Sequence, residues 1–327
     1  TPAGQLVKQQ TPAAGTVLDK GSYSIAVSVK DAAGNVATGQ VSLQVADVTT
    51  PVILSVPGPI TVSVDGNCQG VVPNVLANVI ASDNCTPAGQ LIKQQTPAAG
   101  TVLDKGNYAI AISVKDAAGN VATGQVSLQI VDLTSPVILS IPGSITVSAD
   151  GNCQGVVPNV LANVSASDNC TPASQLVKQQ TPAAGTVLAK GSYIITVSVQ
   201  DAAGNKTTQT IPLTIADTTA PVIQSVTANP SVLSPPNHQM VAVTVSVAAS
   251  DNCDGAPASR IISVTCNEPA SAAEMQITGN LTASLAATRN SASGSRIYTL
   301  TVRCIDAAGN SSTRTVAVTV PQGNGKK

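Results

Sequence analysis

Hydrophobic and polar positions alternate along most of this chain with a period of two. The clearest run puts Tyr108, Ile110, Ile112 and Val114 on one face and Ala109, Ala111, Ser113 and Lys115 on the other. Successive side chains of an extended segment point to opposite faces, so this run predicts a half-buried β-strand. The loop Asp116-Ala-Ala-Gly-Asn120 follows, then a second alternating run through Val126, Leu128 and Ile130. Upstream, Val52, Leu54 and Val56 alternate until Pro57-Gly58-Pro59 interrupts, and Ile60, Val62 and Val64 resume. Prolines there suit a first strand at a sheet edge that switches sheets. Asp65-Gly66-Asn67 is a turn signal. The stretch 90–95 and the run Thr101-Val102-Leu103 read as short strands around Pro97-Ala-Ala-Gly100, and Asp83-Asn84-Cys85 as a loop. Val71 to Ala81 fits either a strand or a short helix. Roughly seven strands result, which is the count of an immunoglobulin-like sandwich.

The pattern recurs every 85 residues. Thr1-Pro-Ala-Gly-Gln-Leu returns at Thr86 and, with Ser for Gly, at Thr171; about 73 of the 85 positions in 1–85 and 86–170 are identical. Each unit is long enough for its own small core, and its internal two-residue alternation excludes a helical solenoid. Linkers ahead of Pro51, Pro136 and Pro221 set the phase. Modules are therefore expected at 49–133, 134–218 and 219–321, with a partial module at 1–48 and a tail at 322–327. A half module would expose its core, so either upstream sequence completes it or another chain donates the missing strands. The fold class is all-β: tandem immunoglobulin-like β-sandwich modules in an elongated array.

Composition narrows the functional classes. Phe and Trp are absent, and only 10% of residues are charged, so the cores must be small and aliphatic. The four tyrosines then carry weight. Asp104-Lys-Gly106-Asn-Tyr108 matches a tyrosine corner, as does Asp19-Lys-Gly21-Ser-Tyr23; at Tyr193 the Asp is replaced by Ala189. With Tyr298 they are expected in cores and corners rather than on a ligand surface. A net charge of −1 gives no basic footprint for nucleic acid or an anionic membrane. No apolar run reaches membrane-spanning length. All five arginines and both glutamates lie after residue 259, which marks the last module as different.

Seven cysteines without a Cys-x-x-Cys or clustered histidine read as disulfides in an oxidising, extracellular setting. Spacing predicts Cys68–Cys85 and Cys153–Cys170. In the last module the expected pair is Cys253–Cys304, with Cys266 free or intermolecular, and Cys266–Cys304 as the alternative. No catalytic constellation is present. His238 is the lone histidine, no Gly-x-Ser-x-Gly elbow occurs, and Glu268 and Glu274 sit in loop-like sequence.

The candidate chemistry is acidic. In an immunoglobulin sandwich the loop between the second and third strands, the loop between the last two, and the entry of the chain share one end. Asp47, Asp83 and Asp116 should therefore converge, as should Asp132, Asp168 and Asp201, and then Asp217, Asp251 and Asp306. Asn84, Asn120, Asn169, Asn205, Asn252 and Asn310 flank them. Three carboxylates without basic partners repel unless a hard cation bridges them, and calcium suits irregular oxygen-lined loops. Each Asp also fits plain turn chemistry. Asp65 and Asp150 read as hairpin turns only.

The ordered set of linker Asp with Pro-Val-Ile, Gly-Asn-Cys, Asp-Asn-Cys, Pro-Ala-Ala-Gly and Asp-Ala-Ala-Gly-Asn resembles the hyalin-repeat (HYR) family of extracellular immunoglobulin-like modules. The resemblance covers 49–218 and part of 1–48. One departure is that Gly39 and Gly124 stand near a place where the family often has a cysteine. Residues 219–321, with Ser234-Pro-Pro-Asn-His238 and Val318-Thr-Val-Pro-Gln322, resemble bacterial C-terminal immunoglobulin-like modules. The resemblance implies an adhesion-linked structural protein rather than an enzyme. The expected function is a component of an extracellular fibre or surface-adhesin stalk, on a bacterial surface, with other copies of itself or neighbouring repeats as partners. The alternative is an adhesin whose last module recognises a glycan or protein while the repeats act as a spacer.

Overall fold

The computed structural model describes residues 2–289 and 294–322. Of the expected tail, 323–327 lie outside the described residues. The described residues form 26 strands and six short 3-10 turns without an α-helix. No helix among them is long and apolar enough to cross a membrane. The chain divides into two compact units: Thr1–Thr134 with Asp168–Pro172, and Ser135–Ser167 with Ala173–Lys327.

In the first unit, the alternating runs form one four-stranded sheet, in the order Ile60–Ser63, Val121–Val131, Gly106–Lys115, Ile92–Thr96. The first pair is parallel and the others antiparallel. Two short antiparallel ladders complete the sandwich: Val52–Ser55 with Ile80–Ser82, and Gln69–Val71 with Val102–Asp104. Ile110, Ile112, Val114, Val126, Leu128 and Ile130 bury their side chains against Val64, Val72, Val75, Val79, Ala81 and Leu91. Each buried Val, Leu or Ile contributes about 1.5–3 kcal/mol, which is how a core without Phe or Trp closes. Gly70 is part of that fit, because a Cβ there would come within 2.6 Å of Ile130.

The stretch Val71–Ala81, open between strand and helix, divides into both. The strands Gln69–Val71 and Ile80–Ser82 flank a 3-10 turn at Leu76–Asn78. Asn74 Oδ1 accepts from the Leu76 N–H at 3.0 Å where the turn begins. Gln95 pins it from the facing sheet: its Oε1 accepts from Val75 N–H at 3.0 Å and its Nε2 donates to Pro73 O at 3.0 Å. The tyrosine corners form as expected. Tyr23, Tyr108 and Tyr193 donate to the carbonyls of Asp19, Asp104 and Ala189 at 2.8, 2.9 and 3.0 Å. The acceptor is backbone, so Ala189 serves as well as Asp.

Residues 2–48 form a single antiparallel sheet of Val7–Thr11, Gly21–Lys30 and Val36–Val45. Ile25, Val27, Val29, Val41, Leu43 and Val45 stand at the positions of Ile110 to Ile130, yet none is buried.

The second unit repeats the sandwich with Ile145–Ser148, Lys206–Ala216, Gly191–Gln200 and Val177–Thr181 in its four-stranded sheet. The ladders are Val137–Ser140 with Ser165–Ser167 and Gln154–Val156 with Val187–Ala189. It continues into a different pairing. Val222–Asn229, Met240–Ser250, Thr282–Ala286 and Met275–Gly279 form one sheet, and Ala258–Cys266, Arg296–Ile305 and Ser311–Val320 another. Tyr298 lies fully buried between these sheets and donates to Ala286 O at 2.8 Å. Arg296 is buried beside it, paired with Glu268 at 3.2 Å and Glu274 at 3.0 Å. Burial would lower the Arg296 pKa, but Tyr298, Glu274 and Glu268 outweigh it and raise the pKa above the usual value.

The disulfides correct the predicted pairing. Cys68 bonds to Cys170 and Cys153 to Cys253; Cys85, Cys266 and Cys304 are free. Neither Cys68–Cys85 nor Cys153–Cys170 forms, because spacing in sequence is not proximity in the sandwich. Cys68 precedes the strand that pairs with Asp104, beside the Gly106 end of the strand Gly106–Lys115. Cys85 follows Asp83, which sits with Asp116 past the other end. A ten-residue strand separates the two by about 30 Å. The turn cysteine of one repeat instead meets the Asp-Asn-Cys cysteine of the next. Cys253–Cys304 is excluded for a related reason. Cys253 is taken by Cys153, and Cys304 is buried opposite Ser259, whose Oγ lies 3.0 Å from its Sγ. Cys266 pairs in register with Tyr298, six residues along that strand from Cys304, so Cys266–Cys304 is excluded too.

Candidate functional site

The Asp116 loop is built around its own carboxylate. Asp116 Oδ1 accepts from the N–H groups of Ala118, Gly119 and Asn120 at 2.9, 2.6 and 2.8 Å, and Oδ2 from Asn120 Nδ2 at 2.7 Å. Gly119 has φ +101, which a side chain would resist. Burial would raise the Asp116 pKa, but the Asn120 side chain and the three backbone donors outweigh it and hold the carboxyl below its ordinary value. The turn role read from the sequence is therefore fulfilled.

Other carboxylate oxygens nearby are not so well supplied. Asn120 Nδ2 also lies 3.3 Å from Asp47 O, which brings the linker to the loop. Asp47 Oδ1 accepts from Thr49 N–H at 3.2 Å. Asp83 Oδ2 caps its own loop through Cys85 N–H at 3.0 Å and Thr86 N–H at 2.9 Å. Asp47 Oδ2 and Asp83 Oδ1 are buried and have no hydrogen-bond donor among the described residues. Asp47, Asp83 and Asp116 each offer an oxygen within 4.8 Å of the others. Among the described residues no lysine or arginine pairs with any of the three. A buried ionised oxygen without a donor is costly, and three carboxylates at this separation repel. A hard divalent cation held by oxygens meets both demands, so the donor set fits calcium.

The second unit holds an equivalent set. Asp306 Oδ1 accepts from Asn310 N–H at 2.7 Å and Oδ2 from Asn310 Nδ2 at 2.8 Å, and Asn310 reaches Asp217 O at 3.1 Å. Asp251 Oδ2 accepts from Cys253 N–H at 2.9 Å. Asp217 Oδ2 and Asp251 Oδ1 are buried without a hydrogen-bond donor among the described residues, and Asp217, Asp251 and Asp306 again converge within 4.8 Å. The Asp306 pKa is lowered as that of Asp116 is: burial opposes, and Asn310 with the loop N–H groups prevails.

Two neighbours here escaped the sequence reading. Lys190 Nζ lies 3.9 Å from both Asp217 Oδ2 and Asp254 Oδ1. Asp254 accepts from Ala307 N–H. The signal was available, since Asp254 stands where the other two copies of Asp-Asn-Cys continue with Thr86 and Thr171. Lys190 therefore gives this set a partial counter-charge, shared with Asp254, which has no counterpart at the first set among the described residues.

The third predicted set falls across the two units. In the first unit, Asp132 Oδ1 accepts from Thr134 N–H at 3.1 Å, and Asp168 Oδ2 from Cys170 and Thr171 N–H at 2.9 Å each. In the second, Asp201 accepts from Asn205 N–H and Nδ2 at 2.8 Å each. Asn169 and Asn252 serve the disulfide turns, donating to Asp65 O at 2.8 Å and Asp150 O at 3.0 Å. Asp65 and Asp150 act within their own turns, each Oδ1 accepting two backbone N–H groups. His238 meets Thr288 Oγ1 at 3.3 Å on the surface.

No family model matches the chain. Hyalin of Lytechinus variegatus is 30% identical over 229 residues, covering 68% of this chain and 42% of that protein. Hyalin of Strongylocentrotus purpuratus is 29% identical over 211 residues, covering 62% and 17%. The chain spans less than half the length of these curated relatives. Neither organism is a bacterium, so the expected bacterial origin finds no support. Among solved structures, the extracellular domain of protocadherin gamma B4 covers 99% of this chain and 60% of its own at 18% identity and TM-score 0.36. Sidekick-1 immunoglobulin domains 1–5 cover 93% and 66% at 15% identity and TM-score 0.29. Likeness at this level transfers no function.

Proposed function

Because the chain belongs to the hyalin-repeat family, we propose that it is an extracellular structural protein of adhesive type. It would act as part of a fibre or stalk built from tandem immunoglobulin-like modules at 49–133, 134–218 and 219–321, with other copies or neighbouring repeats as partners. Disulfides running from one repeat to the next brace it. Calcium bound by Asp47, Asp83 and Asp116, and by Asp217, Asp251 and Asp306, would fix the linker residues Asp47 and Asp217 to the loops behind them.

One observation carries the calcium reading: the buried Asp47 Oδ2 and Asp83 Oδ1, without donors and facing Asp116. Calcium supplies two positive charges and accepts six to eight oxygens, so it would use those atoms and leave places for water. Limited proteolysis with and without a chelator tests it. Chelation should expose 47–51 and 217–221 to cleavage; an unchanged digestion pattern contradicts the role.

A ligand-binding role for 219–321 has a narrower basis. Its glutamates do not support it, because Glu268 and Glu274 are engaged by Arg296. What favours it is the direct cross-strand opposition of Arg260 and Arg303, with Asn280 lining the same shallow depression. Like charges so placed suit an acidic glycan or peptide. Binding to an acidic glycan array that disappears in Arg260→Ala/Arg303→Ala supports that role, and no binding by the parent chain refutes it.

A further inference from the structure

The segment Asp-Gly-Asn-Cys-Gln-Gly-Val occurs at 65–71 and 150–156, and each copy makes the same three contacts. Its cysteine is oxidised with the next Asp-Asn-Cys, as Cys68–Cys170 and Cys153–Cys253. Its aspartate carbonyl accepts from the asparagine before that cysteine, Asn169 at 2.8 Å or Asn252 at 3.0 Å. Its Gln-Gly-Val forms a strand against Val102–Asp104 or Val187–Ala189. In the second unit, Cys153 O also accepts from Lys190 N–H at 3.1 Å, so the strand edge and the disulfide meet at one residue.

The receiving half of this arrangement occurs once more, without its partner. Cys85 is a free, exposed thiol, whereas Cys170 and Cys253 are half-buried. Among the described residues, Asn84 Nδ2 reaches only the Sγ of Cys85, at 3.4 Å. Val17-Leu18-Asp19, which corresponds to Val102–Asp104, joins no ladder among the described residues. Val17 is 95% exposed, against 52% for Val102 and 54% for Val187. Three separate receiving groups thus lack the same ligand.

We propose that residues 17–19 with Asn84 and Cys85 form an acceptor for an Asp-Gly-Asn-Cys-Gln-Gly-Val segment of another hyalin-type repeat. The segment adds as a strand beside Val17–Asp19, presents its aspartate carbonyl to Asn84 and is locked by a disulfide to Cys85. The covalent step is thiol–disulfide exchange. The Cys85 thiolate attacks the cysteine sulfur of an incoming mixed disulfide, a new S–S bond forms as the old one breaks, and the displaced thiolate leaves with its electron pair. The oxidant is that mixed disulfide. Both copies of the segment in this chain are already bonded to Cys170 and Cys253, so the occupant is the segment of a further repeat; Cys85 lies two residues from Asp83, whose Oδ2 accepts its N–H, so calcium is held fixed in the test.

The test offers the full chain a peptide with the sequence of residues 64–72, its cysteine carried as a thiopyridyl mixed disulfide, at fixed calcium concentration. Thiopyridone release gives the rate, and mass mapping gives the site. The peptide should attach at Cys85 about tenfold or more faster than a scrambled peptide of the same composition, because strand addition raises the local thiol concentration. Asn84→Ala should slow attachment about fivefold, the loss of one hydrogen bond. Cys85→Ser should abolish attachment without diverting it to Cys266 or Cys304. Equal rates for the scrambled peptide, or attachment at Cys266, would overturn the proposal.

Discussion

Four hydrogen bonds converge on the carboxylate of Asp116, from Ala118, Gly119 and Asn120, and close the turn that carries it. That turn was legible in the sequence, since Asp before a Gly-Asn pair has few other conformations to cap. What spacing alone did not give was the state of each oxygen. Asp47 and Asp83 each satisfy one oxygen with backbone N–H groups and bury the other bare. Asp83→Asn keeps an oxygen for the Cys85 and Thr86 N–H groups but removes a charged ligand. It should weaken calcium binding at the first set on the order of tenfold or more, read by calorimetry. The buried Arg296 cluster gives a pH prediction. The Ser271 N–H, Arg296 and the Ser271 hydroxyl lower the Glu274 pKa against the opposing effect of burial. A folded pKa below the unfolded one, about 4.3, gives stability that is complete above the unfolded value. It is lost as pH falls through the lower folded value. Urea midpoints measured from pH 6 down to pH 2 should fall less in Glu274→Gln than in the parent chain.

Strands and turns were the part of the fold the sequence carried best, because two-residue alternation and Gly-Asn turns are local signals. Val71–Ala81 was not resolvable. Val72, Val75 and Val79 face the core at near-helical spacing, yet Pro73, Asn74 and the Gln95 clamp leave room for only one 3-10 turn. The cysteine pairing failed for a non-local reason. Cys68 and Cys85 are close in sequence, but the strand Gly106–Lys115 holds their neighbourhoods at opposite ends. Two substitutions test the packing of these elements. A Cβ on Gly155 would lie 2.7 Å from Ile215 Cγ2, so Gly155→Ala should cost about 1–3 kcal/mol in urea unfolding. Tyr108→Phe removes only the bond to Asp104 O and should cost about 1 kcal/mol.

For the molecule as a whole, the 85-residue repeat was legible in the sequence, while the disulfides between successive repeats came from the structure alone. Cys153–Cys253 spans 100 residues and ties the turn of one repeat to a loop of the next, next to the linker carried by Asp217. Cys253→Ser should therefore speed proteolysis at 217–221 while leaving cleavage at 47–51 unchanged, as read by mass spectrometry of the fragments. The central claim is that the bare carboxylate oxygens hold calcium, and calcium titration of the metal-free chain by isothermal calorimetry, with thermal unfolding alongside, tests it most directly. Saturable binding should be lost at one set in Asp83→Asn and at another in Asp251→Asn, and calcium at 100 times its Kd should stabilise the parent by about 2.7 kcal/mol per site. No binding heat, with an unfolding temperature unmoved by calcium or chelator, would contradict it.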